Sequence, residues 1–267
     1  MKVQFISLGS GSSGNCYYLG TSDCGILIDA GISLRQIRKT LKLYDIDMNN
    51  IYAIFVTHDH GDHIRHIETL IEKLHLPIYC TPKVHEGMNR NKHVKHPIYQ
   101  DVFHIEKEQP FQFRDFMIEA FEVPHDATEN VGYCIEIDGK VFTIATDLGE
   151  VTPTAAHYLK KANYMVLEAN YEEEMLRMGK YPAFLKERVA SRTGHLSNSA
   201  AAAFLSENYQ TNWKYIWLCH LSKDNNHPEL AYKAVESRLR EIHICVGKEI
   251  ELLPLKRTVP SDLYEFE

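Results

Sequence analysis

Residues 58–63 read HDHGDH, directly after an apolar run at 51–56 and directly before a helical pattern. Four groups able to ligate a metal, His58, His60, Asp62 and His63, fall within this one strand-to-helix turn. A packed core has no use for so many titratable groups in one place, because each loses its water shell on burial. Divalent cations do have a use for them. His58 and His60 stand two apart on extended backbone, so their side chains point the same way and can share one ion. Asp62 and His63 lie around the turn, where a second ion fits. A hydroxide held between two ions is a nucleophile available at neutral pH.

An HxHxDH string after a buried strand resembles the signature of the metallo-β-lactamase fold, and the resemblance extends over nearly the whole chain. It implies three later ligands at strand ends, and the chain offers His125, Asp147 and His220, each preceded by β-rich apolar residues and followed by polar ones. By resemblance, His58, His60 and His125 hold one metal, Asp62, His63 and His220 the other, and Asp147 bridges them. Taken singly, His125 and His220 also read as structural histidines, and Asp147 as a turn or cap residue before Thr152 and Pro153. Histidine and carboxylate ligands suit two ions of zinc, manganese or iron.

The chain has 267 residues, 44% of them hydrophobic, enough for one large domain spanning 1–267 with a substantial core. A formal charge of −7 argues against a generally basic nucleic-acid coat, although two divalent ions would reverse the sign locally. The six cysteines show no CxxC spacing, and several sit within strand-like runs. That pattern fits buried thiols in a reducing, cytoplasmic compartment. The N-terminal apolar run breaks too early for a signal peptide, and no run is long enough for a membrane span.

Residues 3–8, 16–19 and 25–29 read as three strands joined by short turns. Ser33 is placed to cap a helix carrying Leu34, Ile37 and Leu41. Ile64, Ile67, Leu70, Ile71 and Leu74 form another helical stripe. Strands follow around 111–123 and 132–146, the latter turning at Asp138-Gly139. Beyond Asp147, strands at 164–168 and 214–219 alternate with helices at 197–209 and 228–240, the latter starting at His227. Residues 249–255 read as a last edge strand. A strand-rich half followed by an αβ half suits an αββα sandwich, two facing mixed sheets with helices outside.

This fold serves many chemistries, so the site must discriminate. Where the commonest β-lactamases of this fold carry Cys, this chain has Asp147, and it has no flavin domain. Only 47 residues follow His220, too few for a glyoxalase-type helical substrate domain, and only 73 positions separate Asp147 from His220, which leaves out the large insertion of the RNase J-type enzymes.

The string Gly194-His195-Leu196-Ser197-Asn198 has two readings. One is a capping loop, with Ser197 or Asn198 as N-cap of the next helix. The other follows from its similarity to transfer-RNA-processing nucleases of this fold, which implies that His195 gives a proton or hydrogen bond to the reacting phosphate. The Gly-Ser loop at 9–15 is equally two-sided. Its residues suit a tight turn, and its N–H groups and hydroxyls also suit a phosphate cradle. Together with the strings around His125, Gly132 and His220, these segments resemble the WalJ/YycJ-type subgroup, which implies DNA 5′-exonuclease activity.

The expected enzyme is therefore a dinuclear-metal phosphodiesterase acting on DNA. Asp62 orients or deprotonates the nucleophile and His195 assists the leaving group. Ser12, Ser13, Asn15, Lys223 and Asn225 are candidate substrate contacts. Basic sets on the first helix (Arg35, Arg38, Lys39, Lys42), at 83–95 and at 177–192 read either as strand grooves or as solvated faces. The alternatives are a small-molecule hydrolase, such as a cyclic phosphodiesterase or thioesterase, and a metal-binding protein without turnover.

Overall fold

The computed structural model describes residues 1–267. They form two compact units: Met1–Phe116 with Ala127–Asn130 and Lys256–Glu267, and Met117–Asp126 with Val131–Leu255.

The first unit is built on β1 (Val3–Gly9), β2 (Cys16–Gly20), β3 (Gly25–Ile28), β4 (Ile51–Phe55), β5 (Ile78–Cys80), β6 (Val102–His104), β7 (Phe111–Phe113) and the C-terminal β14 (Tyr264–Phe266). One seven-stranded sheet has the order β14-β1-β2-β3-β4-β5-β6. It is antiparallel from β14 to β3 and parallel from β3 to β6. Helices α1 (Leu34–Leu43), α2 (Gly61–Ile64), α3 (Ile67–Leu74) and α4 (Pro82–Arg90) connect the parallel strands. Ser33 caps α1 by accepting from Gln36 N–H. Ile37, Leu41, Ile67 and Leu70 are buried in one core with Ile6, Leu27 and Ile54. Each such side chain contributes about 1.5–3 kcal/mol by leaving water.

The second unit holds β8 (Phe116–Glu122), β9 (Val131–Ile137), β10 (Lys140–Ala145), β11 (Tyr164–Glu168), β12 (Tyr215–Cys219) and β13 (Glu251–Pro254). Within this unit the strand order is β13-β12-β11-β10-β9-β8. Its β8–β10 portion is antiparallel and its β10–β13 portion parallel. Helices α5 (Pro153–Lys161), α6 (Glu173–Met178), α7 (Ala183–Val189), α8 (Asn198–Glu207) and α9 (Pro228–Glu241) complete it. Ser197 and His227 cap α8 and α9. Asp138 and Gly139 both take positive φ, 50° and 70°, as the hairpin turn between β9 and β10 requires. No helix is long and apolar enough to cross a membrane.

Three expectations need correction. The apolar stripe at 64–74 is two helices, because His66 N–H leaves the helical ladder to bond Ala30 O at 2.9 Å. The run at 111–123 is two strands, β7 and β8, broken by Arg114 at φ 51°. The strand near 249–255 does form a sheet edge, but β14 follows it and edges the other sheet. A three-residue strand is too short to show a period.

Candidate functional site

The parallel ladders decide where the functional residues stand. In the first unit β3 and β4 run side by side, with Ile28 opposite Phe55. The residues just past their carboxyl ends, Asp29 and Thr57-His58, are therefore neighbours. Asp29 is fully buried and takes φ 64°, a conformation costly for most residues but tolerated by Asp. Its carboxylate accepts from Thr57 N–H at 2.9 Å and from Thr57 Oγ1 at 2.9 and 3.1 Å, and it lies 2.7 Å from His63 Nδ1. His63 Nδ1 is thereby committed to Asp29, which leaves Nε2 to act elsewhere. A carboxylate behind a histidine in this way fixes the ring and raises its basicity as a metal ligand.

His60 sits at the N-cap position of α2, and Asp62 and His63 lie within that helix. The rings of His58 and His60 are 4.8 Å apart, and those of His58 and His63 are 4.0 Å apart. Asp62 Oδ2 is 3.7 Å from His63 Nε2. Gly31 makes this arrangement possible: a Cβ there would come within 1.7 Å of the Asp62 carbonyl oxygen. Asp59, inside the motif but outside the ligand set, accepts from Thr128 N–H and Thr128 Oγ1 at 3.0 and 2.7 Å and so pins the ligand loop.

In the second unit β10, β11 and β12 are adjacent and parallel, with Ala145 opposite Leu167 and Glu168 opposite Cys219. Asp147, Glu168 and His220 thus emerge together at three neighbouring strand ends. Asp147 and His220 both take positive φ, 56° and 51°. Strained backbone of this kind persists where the surrounding structure holds a side chain in one direction. Asp147 Oδ1 is 3.3 Å from His220 Nδ1, and Asp147 Oδ2 is 3.7 Å from His125 Nε2. His125 follows β8, and its Nδ1 is 2.8 Å from Gly194 O, which turns Nε2 toward Asp147. Asn170 Nδ2 donates to His220 O at 2.8 Å and lies 3.2 Å from His220 Nδ1.

His195 stands in the loop before α8, its ring 5.1 Å from that of His125 and 5.3 Å from that of His220. Its Nδ1 is 2.7 Å from Glu168 Oε1. Burial lowers the His195 pKa, but attraction and hydrogen bonding to Glu168 outweigh burial and raise it. Glu168 is fully buried; burial raises its pKa, and the charge and hydrogen bond of His195, with a bond from His220, lower it overall. Glu168 Oε2 also accepts from the backbone N–H groups of Leu148 and Leu196, at 2.8 and 3.2 Å. One carboxylate thus ties three loops together.

Asp147, Glu168, His195 and His220 offer ligand atoms all within 4.8 Å of one another. Two buried carboxylates this close repel, and a divalent cation offsets that repulsion. A set of buried carboxylates and imidazoles, several histidines held from behind by an oxygen, fits a divalent metal.

The sequence reading missed Asp29, Glu168 and Asn170. Asp29 ends the third expected strand and Glu168 ends the strand at 164–168, so a polar residue closing an apolar strand was the available signal. Two candidate substrate contacts sit differently from expectation. Asn15 is fully buried, its Oδ1 accepting from Gly11 N–H at 2.7 Å and its Nδ2 lying 3.1 Å from Asp62 Oδ2 and 2.8 Å from His63 Nε2. It closes the Gly-Ser loop onto the motif. Asn225 is also buried, its N–H donating to Ser222 Oγ and its carbonyl accepting from Glu172 N–H, so it braces the loop after β12. Ser12, Ser13 and Lys223 are exposed.

Residues 25–212 match the β-lactamase superfamily domain. The chain belongs to the β-lactamase superfamily. Within this superfamily it is 35% identical over 98% of its length, and 99% of the relative's, to a Bacillus anthracis protein named exodeoxyribonuclease YycJ. It is also 35% identical, over 97% of its length and 96% of the relative's, to exodeoxyribonuclease WalJ of Streptococcus pneumoniae. Among solved structures it resembles the metallo-β-lactamase fold protein YhfI from Bacillus subtilis, with a TM-score of 0.72 at 16% identity over the full length of both chains. The two mixed sheets with their helices are thus those of the metallo-β-lactamase fold.

Proposed function

We propose that this chain is a metal-dependent phosphodiesterase that cuts DNA from a 5′ end. The observation that carries this is near full-length 35% identity to proteins named exodeoxyribonucleases. The donor sets of the two units support it, and we take them as parts of one catalytic domain. His58, His60 and His125 would hold one ion, Asp62, His63 and His220 a second, with Asp147 shared between them. Zinc, manganese and iron all suit such ligands. Bound ions would supply charge neutralisation at the phosphate and a water of lowered pKa.

The protein's own groups do the rest. Asp29 holds His63, and Glu168 holds His195, each through Nδ1. Asp62 is partly exposed and is the base that orients the attacking water. His195 keeps its Nε2 for the substrate; with its raised pKa it carries a proton to the departing oxygen. Ser12, Ser13 and Lys223 are exposed and suited to strand contacts. The six cysteines form no disulfides, which favours a reducing compartment, and we place the enzyme in the cytoplasm.

The test is the product pattern on 5′- and 3′-end-labelled single- and double-stranded DNA, with zinc, manganese or iron added back to chelated protein. Mononucleotides released in order from the 5′ end are expected. Turnover of cyclic nucleotides or thioesters with intact DNA would replace this reading with the small-molecule one.

A further inference from the structure

We propose that a cavity in the first unit, beside the HxHxDH residues, binds a phosphate group of the DNA strand; this rests on the nuclease reading above. The cavity measures about 210 Å³ and is lined by Ser13, Gly14, Gln36, Arg65, His66 and Arg257, among others. No acidic residue lines it, in a chain whose net charge is −7. Two guanidinium groups around a small polar hollow are the chemistry that takes a phosphate, since their N–H forks match its oxygens.

Arg65 donates from Nη1 to the Ser13 carbonyl, 3.2 Å away, and pairs with no carboxylate. One of its five donors is thus spent on placing the side chain, and the others remain. The Gly-Ser loop supplies the facing wall. Gly14 is pressed against residue 31, where a Cβ would come within 2.6 Å of the Gly31 carbonyl. Ser10 N–H donates to Arg257 O at 3.2 Å, which fixes the segment carrying the second arginine.

The cavity is tied to the candidate ligands by two short stretches of chain. Asn15, two residues after Ser13, touches Asp62 and His63. Arg65 stands two residues after His63. Two residues span at most about 7 Å. A strand with one phosphate at the ligand residues therefore brings a neighbouring phosphate within reach of the arginines. Beyond the cavity, an adjoining groove shares Leu8, Gln36 and Thr258 with it and carries Lys39 and Lys42. The basic face of α1 thus continues the same path for the strand.

The experiment is fluorescence anisotropy with a labelled single-stranded oligonucleotide made nuclease-resistant by a phosphorothioate backbone. It is run on the parent, Arg65→Gln, Arg257→Gln and, as a charge-matched control, Lys160→Gln on α5, with inorganic phosphate as competitor. Each arginine variant is expected to weaken DNA binding about tenfold and to shrink the slope of log affinity against log salt by about 0.7. Lys160→Gln is expected to bind as the parent does. Thermal midpoints within a degree or so of the parent show that the arginine effect is not unfolding, and Arg257→Gln serves if Arg65→Gln is destabilised. Inorganic phosphate that competes with DNA on the parent and loses potency on both variants supports the strand assignment. Phosphate binding lost in the variants with DNA affinity unchanged assigns the cavity to the free anion and overturns it. Equal affinity for DNA and phosphate in all four proteins overturns it as well. A parent that binds this probe but cleaves no unmodified DNA refutes the nuclease reading while leaving the cavity's affinity measurable.

Discussion

Glu168 Oε1 lies 2.7 Å from Nδ1 of His195, and the same carboxylate accepts through Oε2 from the backbone N–H groups of Leu196, in the same loop, and of Leu148, after β10. A buried acid in this position does two things at once. It stabilises the charged imidazole, and it fixes which ring nitrogen is left for chemistry. The structural reading, a histidine that braces the loop through Glu168, and the catalytic one share this contact and differ in what removing the ring does to turnover.

His195→Ala removes the proposed proton donor without removing a member of the seven-ligand set. The expected outcome is full metal content, with kcat on a short DNA substrate lowered about 10²–10⁴-fold and KM little changed. Metal analysis of the purified variant and steady-state kinetics check this. Parental kcat would return His195 to the capping role.

Asp147→Asn keeps a residue that tolerates the left-handed backbone at φ 56° while removing the charge. The variant should fold, lose at least one metal equivalent and retain little turnover. Asp147→Ala should add about 1–2 kcal/mol of backbone strain to the same metal loss. Elemental analysis alongside thermal melting separates the two effects, and two full equivalents in Asp147→Asn would contradict the shared-ligand role.

Asp29→Asn leaves the Thr57 contacts with an oxygen acceptor but takes the carboxylate from behind His63. Metal affinity should fall about 10–100-fold, with the circular dichroism spectrum unchanged. A chelator competition series reads this directly. Unaltered affinity would show that Asp29 only braces the loop.

Gly31→Ala places a methyl group where the Asp62 carbonyl already stands, at 1.7 Å. The loop must move, at a cost of about 1–3 kcal/mol. The variant should melt earlier and bind metal less tightly, because the displaced backbone is that of a proposed ligand. A melting curve superimposable on the parent's would mean the loop is softer than its contacts indicate.

Alkaline pH should destabilise the fold through its buried thiols. Burial pushes Cys80 to about 12 and Cys134 to about 11, from a usual 9.0. Below pH 9 the thiols are protonated whether the chain is folded or not, and they do not oppose folding. Above it the unfolded chain loses protons that the folded chain keeps, so stability falls progressively from about pH 9 toward 11–12. Urea midpoints between pH 8 and 11 should decline, less steeply in Cys80→Ala. A decline of the same slope in that variant would place the cause elsewhere.

The residues of the HxHxDH string were legible because they are contiguous. A strand, a turn and a short helix bring them close by chain connectivity, and contacts from Asp29, Asn15 and Thr128 then hold them in place. Ser33 was readable as a cap for the same reason, as were the start of α8 at Ser197 or Asn198 and that of α9 at His227, since capping is a contact over two or three residues. His125, Asp147 and His220 were reached only by resemblance, because nothing local distinguishes a strand-end histidine that ligates from one that does not. Asp29 and Glu168 escaped altogether. Their importance comes from the parallel pairing of β3 with β4 and of β10 with β11 and β12, which brings strand ends distant in sequence to the same edge. Alternating polarity reports which face of a strand is buried; it carries no record of which strand lies beside it. Six consecutive residues were enough to point to divalent-metal ligation, because connectivity alone places them together. The tertiary structure decided which carboxylate stands behind which histidine, because only the strand order sets those distances.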